Sequence, residues 1–408
     1  MMRHVILMDM SFEGTMNGVT RCIQVLAESF SKEKDYSVTW IHFEKKRQSE
    51  DLSIEQDDSK ITIALPNDLG NFLSSSQIQQ DYWEKSYQIV CPLLQNHNRN
   101  ILHIHTLNLI GFAIYIRERI NCKIISHLHC IPWKGIYNHD VQRFTNLFEE
   151  YYISKNYTQT SSYILHKYEN LCYSQSDYLI CVTRCARDFI KRMYPNHSVP
   201  VKIVYNGIED IGNDEVIKQR QLHHPVRCLF VGNAHASKGL EYVLQSLELL
   251  RMRYEINIIV AGGFSSQQQR QMTTKYPFID IQFAGVVPLT ALRNYYLSCD
   301  IGMIASVQEQ CSYVAIEMMM FGLPVVTTDI DGLHELFAGN NVACKIPLCH
   351  MPGYCVYPDS RKMAESLLWL IEHPSQRAQM GWNARQRYKQ LFNKDRMADS
   401  IKKIYDTI

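Results

Sequence analysis

Residues 299–328 read CDIGMIASVQEQCSYVAIEMMMFGLPVVTT. Ile301 to Ala305 is a short apolar strand run, Glu317 falls inside a helical stretch, and Gly322 with Pro324 ends that helix before a second strand run, Pro324 to Thr328. Strand, loop, helix and strand in so short a span predict a parallel α/β unit. The rhythm extends outward. Val201 to Tyr205, Arg227 to Val231, Ile256 to Ala261 and Ile279 to Ala284 also read as buried strands. Before a junction near Tyr194 to Gly207 the same alternation carries Arg3 to Met8, Ser37 to Phe43, Ile101 to His105, Lys123 to His127 and Tyr178 to Thr183. Two doubly wound sheets are expected, one on each side of the junction. Gln376 to Ile408 is polar with apolar residues at helical spacing and predicts one or two closing helices.

At 408 residues the chain exceeds what one hydrophobic core usually serves, which agrees with two domains. Its 46% hydrophobic and 20% charged residues are those of a globular protein. Forty-two Lys and Arg against 41 Asp and Glu leave a formal charge of +1, which supplies no broad attraction for nucleic acid. The apolar run Val5 to Met8 is too brief, and too soon followed by Asp9, to be the core of a signal peptide, so no export is expected. No stretch approaches the roughly 20 apolar residues that span a bilayer. The thirteen cysteines are odd in number and scattered, which reads as reduced thiols in a cytoplasmic protein.

In open parallel sheets ligands bind beyond the carboxyl ends of the strands, and the notable residues fall in those loops. Glu309, in the loop after Ile301 to Ala305, and Glu317, inside the following helix, lie eight apart; eight positions on a helix is a little over two turns, a spacing that lets both face one cleft. A carboxylate near the helix start suits sugar hydroxyls, and one deeper in can accept both ribose hydroxyls of a nucleotide. Flanked by Ala315-Ile316 and Met318-Met319-Met320, Glu317 is the polar exception in an apolar helix, which a solvated face does not explain.

Ala305-Ser306, Glu309, Glu317 and Phe321-Gly322-Leu323-Pro324-Val325-Val326 together resemble the signature of the large retaining glycosyltransferase family four. Further matches follow that family's order along the chain. They are Gly14 with Asn17-Gly18-Val19, His103-Ile104-His105, Ile124 to His129, Ser176-Asp177, Asn206-Gly207-Ile208, Val231-Gly232 through Lys238-Gly239, Ala261-Gly262-Gly263, Phe283 to Gly285, Cys299-Asp300, and Gly332 with Glu335. The resemblance implies an α/β GT-B fold, two Rossmann-like domains facing a central cleft. Residues 1–200, completed by a C-terminal helix at about 390–408, form the acceptor side, and residues 201–389 the nucleotide-sugar donor side. It also implies a retaining, metal-independent transfer, with the nucleotide sugar as substrate and no cofactor.

By the same resemblance Gly14 and Gly18 bring backbone N–H groups to the donor phosphates at a helix N-terminus, Lys238 neutralises the leaving diphosphate, Glu309 holds the sugar and Glu317 the ribose. His129 lies close to the transferred sugar, with His127 a competing assignment. Two departures stand out. Asn233 occupies the place of the family's second diphosphate cation, an arginine, with His235 or Arg184 as candidate substitutes. Gln310-Cys311-Ser312-Tyr313 replaces a small, Gly-containing segment; Ser312 can still cap the helix, and Ser312 and Tyr313 remain donor-side candidates.

Two metal constellations compete with this reading. Asp329-Ile330-Asp331 has the Asp-x-Asp spacing that holds a divalent ion in glycosyltransferases of the other major fold, but it comes late in the chain. Cys344, Cys349, His350 and Cys355 crowd together without a standard zinc spacing and around Pro347 and Pro352. No metal site is therefore expected. The aromatic-rich stretch Trp133 to Tyr173 is the candidate acceptor region. Ile401, Ile404 and Ile408 beside Lys402 and Lys403 offer a peripheral contact at the inner face of a membrane as the second reading of a helix expected to pack back on the protein. A nucleotide-sugar epimerase and an inactive sugar-binding subunit are the alternative functions. A dehydrogenase is disfavoured, since no Gly-x-Gly-x-x-Gly follows the first strand of either half.

Overall fold

The computed structural model describes residues 2–12, 18–45, 53–57, 60–65, 76–95, 99–131, 161–195, 197–220, 222–351 and 355–408. The chain forms two compact units, one of Met1–Gly207 with Lys394–Ile408 and one of Ile208–Asn393.

In the N-terminal unit the strands are β1 (Arg3–Phe12), β2 (Tyr36–Lys45), β3 (Ser53–Asp57), β4 (Lys60–Leu65), β5 (Asn100–Ile104), β6 (Cys122–Leu128), β7 (Tyr178–Cys181) and β8 (Val201–Ile203). They line up as β3-β4-β2-β1-β5-β6-β7-β8, with every pairing parallel except the β3–β4 hairpin. The helices are α1 (Gly18–Phe30), α2 (Ser76–Gln95), α3 (Ile110–Arg117), α4 (Ser161–Gln175) and α5 (Arg184–Met193). Alternation within each strand sends Ile6, Ile41, Leu102 and Ile124 into one core with Phe112 of α3.

The C-terminal unit holds β9 (Val226–Val231), β10 (Ile256–Ala261), β11 (Asp280–Gly285), β12 (Ile301–Ile304), β13 (Val325–Thr328) and β14 (Cys344–Ile346) in an all-parallel sheet of order β11-β10-β9-β12-β13-β14. A small hairpin, β15 (Leu348–Met351) and β16 (Cys355–Pro358), follows. Its helices are α6 (Asp214–Lys218), α7 (Leu240–Leu250), α8 (Ser266–Lys275), α9 (Leu289–Ser298), α10 (Tyr313–Met320), α11 (Asp331–Leu336), α12 (Ser360–Glu372) and α13 (Pro374–Leu391), and α14 (Lys394–Tyr405) returns to the N-terminal unit. Cys228, Phe230, Ile258, Val260 and Val326 pack against Leu244 and Leu247 of α7 and Leu367 of α12.

Both sheets reverse direction of growth beside their first strand, between β1 and β5 and between β9 and β12. At such a switch point the flanking loops diverge and leave a crevice at the carboxyl ends of the strands. No helix among the described residues is long and apolar enough to cross a membrane, and no disulfide joins the described cysteines.

Candidate functional site

In the C-terminal unit the switch point lies between the loop after β9 and the loop after β12. Lys238 ends a single 3-10 turn, Ala236–Lys238, and its Nζ donates to Glu309 Oε1. Ser306 Oγ donates to the same carboxylate oxygen at 3.2 Å. The loops are tied by Val307 N donating to Ser237 O at 2.9 Å. Gly239 adopts φ +74°, and a Cβ there would stand 2.2 Å from Ala305 O, so this crossing of two backbones admits glycine alone. Thr328 Oγ1, at the end of β13, donates to Ser306 O at 2.6 Å, and Gly332 N to Glu309 O at 3.1 Å. Lys238 and Glu309, far apart in sequence, are thus held together by their own ion pair, the Val307–Ser237 bond and the crossing of Gly239 over Ala305, with Thr328 and Gly332 bracing the Glu309 loop from the far side.

Glu309 lies in the loop after β12, as expected, but helical spacing does not set where it points. Helix α10 starts at Tyr313, and Ser312 caps it by accepting from Ala315 N at 3.4 Å, so Glu309 lies outside the helix. Its direction is set by Lys238 and Ser306, not by helical turns. Glu317 lies inside α10 as expected and is 2% exposed. Its Oε2 accepts from the Tyr296 hydroxyl of α9 at 2.5 Å, and the Tyr296 ring stacks on Phe321. Nothing in the sequence singled out Tyr296. Tyr313 is buried at the first position of α10.

Asn233 Oδ1 accepts from His235 N at 3.3 Å, and His235 Nδ1 accepts from Ser237 N at 3.2 Å to start the turn that carries Lys238. His235 therefore stands beside Asn233 within the same loop, whereas Arg184 heads α5 in the N-terminal unit. Asp329 is engaged by His334 Nδ1 at 2.7 Å and by Lys345 at 3.9 Å. Cys349 Sγ faces Asp359 at 3.7 Å; the side chain of Cys355 lies outside those described.

In the N-terminal unit Gly18 opens α1, while Gly14 and Asn17 lie outside the described residues, as do residues 132–160 of the aromatic-rich stretch. His129 follows β6. Its Nε2 is 2.9 Å from His105 Nδ1, and its ring stacks on His127 with centroids 4.2 Å apart. Burial pushes the imidazoles of His103 and His129 down to about 3 and those of His105 and His127 well below the ordinary histidine value, which keeps the group neutral. Near the end of β1, Asp9 Oδ1 accepts from Trp40 Nε1 and from His42 Nδ1, each at 2.8 Å, and His42 Nε2 meets Ser11 Oγ at 3.1 Å. Deeper in, Glu169 of α4 is fully buried and accepts from the Tyr194 hydroxyl at 2.7 Å; burial pushes its carboxyl up to about 7.

Two family models match the chain in tandem, one described as glycosyltransferase family 4 over residues 16–210 and one as glycosyl transferases group 1 over residues 213–387. Among solved structures, sucrose-phosphate synthase from Thermosynechococcus elongatus superposes with a TM-score of 0.73 at 15% identity, covering 99% of this chain and 98% of that one. Anabaena HepE, in complex with UDP-glucose, superposes with a TM-score of 0.70 at 16% identity over 99% and 100%. An uncharacterized glycosyltransferase of Methanocaldococcus jannaschii is 24% identical over 264 residues, 61% of either chain. Glycogen synthase of Mycobacterium tuberculosis is 22% identical over 244 residues, 59% of this chain and 56% of that protein. The chain spans about three fifths of the length of the curated relatives it matches. Fold and family agree with the sequence reading: the architecture is GT-B, and the chain belongs to the group 1 glycosyltransferases of the family-four type.

Proposed function

We propose that this chain transfers a sugar from a nucleotide-sugar donor to an acceptor with retention of configuration. The observation that carries the reading is the joining of Lys238 to Glu309 at the β9/β12 switch point, where a doubly wound sheet binds nucleotides. The two side chains are joined to each other. On donor binding the ammonium turns to the diphosphate, where negative charge grows as the glycosidic bond breaks, and the carboxylate freed of its partner accepts hydroxyls of the sugar. Glu317, held by Tyr296, takes the ribose hydroxyls. Ser312, Tyr313 and Asn233 border the same loops, and the N–H groups that open α10 and α1, at Gly18, face anionic groups favourably. Lys238 is the cation that meets the diphosphate in this reading, so the transfer step itself asks for no metal. His129 offers the sugar its backbone or its Nδ1 edge, since Nε2 is engaged by His105. The acceptor is a glycan, a lipid-linked intermediate, a peptide or a small molecule met by the N-terminal unit. A cytoplasmic place, at the inner membrane face for a lipid-linked acceptor, fits this assignment.

The test is a panel of nucleotide sugars incubated with purified protein, a brief excess of chelator and cell extract as acceptor source, with release of nucleoside diphosphate measured. Chelator-resistant release by the wild type, lost in Lys238→Ala and Glu317→Ala, and a product with the anomeric configuration of the donor are expected. Donor binding without turnover would replace the reading by an inactive binding subunit, to which Asn233 in place of arginine lends weight. Release that chelator stops at once would move the diphosphate cation to Asp329 and Asp331.

A further inference from the structure

The residues that face α1 across the N-terminal sheet do not form an ordinary apolar layer. Strands β5 and β6 pair in parallel with His103 opposite Ile125, so His105 falls opposite His127, and alternate residues of neighbouring strands share a face. His103, His105, His127 and His129 therefore make a two-by-two array of rings, with centroids 4.2 to 5.3 Å apart along its sides and across it. Cys22 of α1 covers the array, and one ring nitrogen each of His105, His127 and His129 and the Cys22 sulfur all lie within 4.8 Å of one another. His127 is 2% exposed and His105 4%. Neither ring nitrogen of His127, nor His105 Nε2, has a hydrogen-bond partner among the described residues.

Buried polar nitrogens without partners are expensive, and at His127, where neither nitrogen is bonded among the described residues, that cost stands unless something joins it to the neighbouring rings. We propose that Cys22, His105, His127 and His129 bind a zinc ion inside the N-terminal unit. A thiolate with three neutral imidazoles is a nitrogen and sulfur donor set suited to tetrahedral zinc. With bonds of about 2.0–2.1 Å to nitrogen, a tetrahedral edge is about 3.3 Å; His105 Nδ1 and His129 Nε2 already stand 2.9 Å apart, and shifts of about an ångström in the other ligands close the site. On binding, the Cys22 thiol proton is released to solvent and the sulfur–zinc bond forms, leaving the site with a net charge of +1. Its wall is built: His103 stacks on His105 and is fixed by the Tyr405 hydroxyl of α14 at 2.6 Å, and Cys22 Sγ lies 4.0 Å from Met397 Sδ of the same helix.

Four protein ligands fill a tetrahedral ion, so the zinc is structural. It pins α1 to β5 and β6 and leaves the His129 backbone and Nδ1 edge for a sugar. The site shares His129 with the transfer reading but none of the Lys238–Glu309 pair that carries it, so metal content and turnover are separate measurements.

The experiment uses untagged full-length protein, purified without added metal, and reads its metal content by mass spectrometry; about one zinc per chain is expected. The stripped protein is then loaded with Co²⁺, which is expected to give tetrahedral ligand-field absorption and a thiolate-to-cobalt charge-transfer band. Cys22→Ser should lose that band. Protein that carries no stoichiometric metal and gives no such spectrum with Co²⁺ overturns the proposal, as does a cobalt spectrum that Cys22→Ser leaves unchanged. Should Cys22→Ser fail to fold, the wild-type spectrum decides, since a cobalt site without a thiolate band is not this one. No donor or acceptor enters the measurement, so its outcome is separate from that of the turnover assay.

Discussion

The two units share one strand order around their switch points and put opposite chemistry there. Beyond β9 and β12 stands an ion pair with Lys238 about a third exposed, whereas beyond β5 and beside it on β6 stand imidazoles that burial keeps neutral. Topology decides where a ligand can be met in such a sheet. Exposure of the side chains decides whether the meeting is with a substrate that comes and goes or with something permanently enclosed. The largest effect that bears on this contrast is on turnover. Lys238→Ala is expected to lower sugar transfer by about 10²–10³-fold, the scale of removing one transition-state charge partner, while the metal content of the N-terminal unit stays that of the wild type. A parallel loss of both would show that the units do not keep their chemistries apart.

The second effect concerns how the open site is held. A Cβ on Gly332 would stand 1.4 Å from Gln310 O, in contact with backbone that cannot swing aside. Gly332→Ala is expected to cost about 3 kcal/mol or more of stability, read as a shift of the denaturant midpoint, and to lower donor binding because it displaces the segment carrying Glu309. A neutral result would mean that the loop is loose and that the Lys238–Glu309 geometry is not preorganised.

Much of the open site was legible in the sequence and little of the closed one. Strand runs such as Ile301 to Ala305 announce themselves by apolar β-branched composition, and Glu317 by its contrast with five neighbouring methionines and aliphatics. Glu309 lies in a loop as expected, but its facing was argued from helical spacing carried across a cap, Ser312, that begins the helix after it. The histidine array was half visible. His103-Ile104-His105 and the pair His127 and His129 show strand alternation, but only the β5–β6 register sets them side by side, and Cys22 reaches them through the packing of α1, which no local pattern encodes. The expectation of no metal site weighed only clusters close in sequence, Asp329 to Asp331 and Cys344 to Cys355; the residues of the proposed zinc site lie far apart in the chain. The β3–β4 and β15–β16 hairpins were also unforeseen, since strands of four to six residues with alternating or mixed composition lack the longer apolar runs of buried parallel ones.

The enclosed character of the N-terminal unit can be sharpened through pH. The Glu169 carboxyl is raised to about 7 by burial, so the folded state holds its proton more tightly than the unfolded state. Its contribution to stability is fully present below about pH 4.5, is lost as pH rises through about 7, and is constant above that. The wild type is therefore expected to lose on the order of 3 kcal/mol between these limits relative to Glu169→Gln, a difference read from denaturation of the two proteins at pH 5 and pH 8. Equal slopes for both would mean that water reaches the carboxylate and that this part of the unit is not closed.

The smallest effect tests whether the C-terminal site contains a buried element of its own. Tyr296 is fully buried and donates to a Glu317 that is 2% exposed, so Tyr296→Phe removes a hydrogen bond to a carboxylate and should cost about 1.5–3 kcal/mol. Stability alone does not separate a structural pair from one that serves a nucleotide. The discriminating reading is the ratio of affinities for a ribonucleoside diphosphate and its 2′-deoxy counterpart. If Tyr296 aims the Glu317 carboxylate at ribose, the substitution weakens the ribonucleotide several-fold and leaves the deoxynucleotide nearly unchanged, so the ratio narrows. If the pair only braces α9 against α10, melting falls while the ratio holds, and the carboxylate that reads the ribose must be sought elsewhere among the loops after β9 and β12.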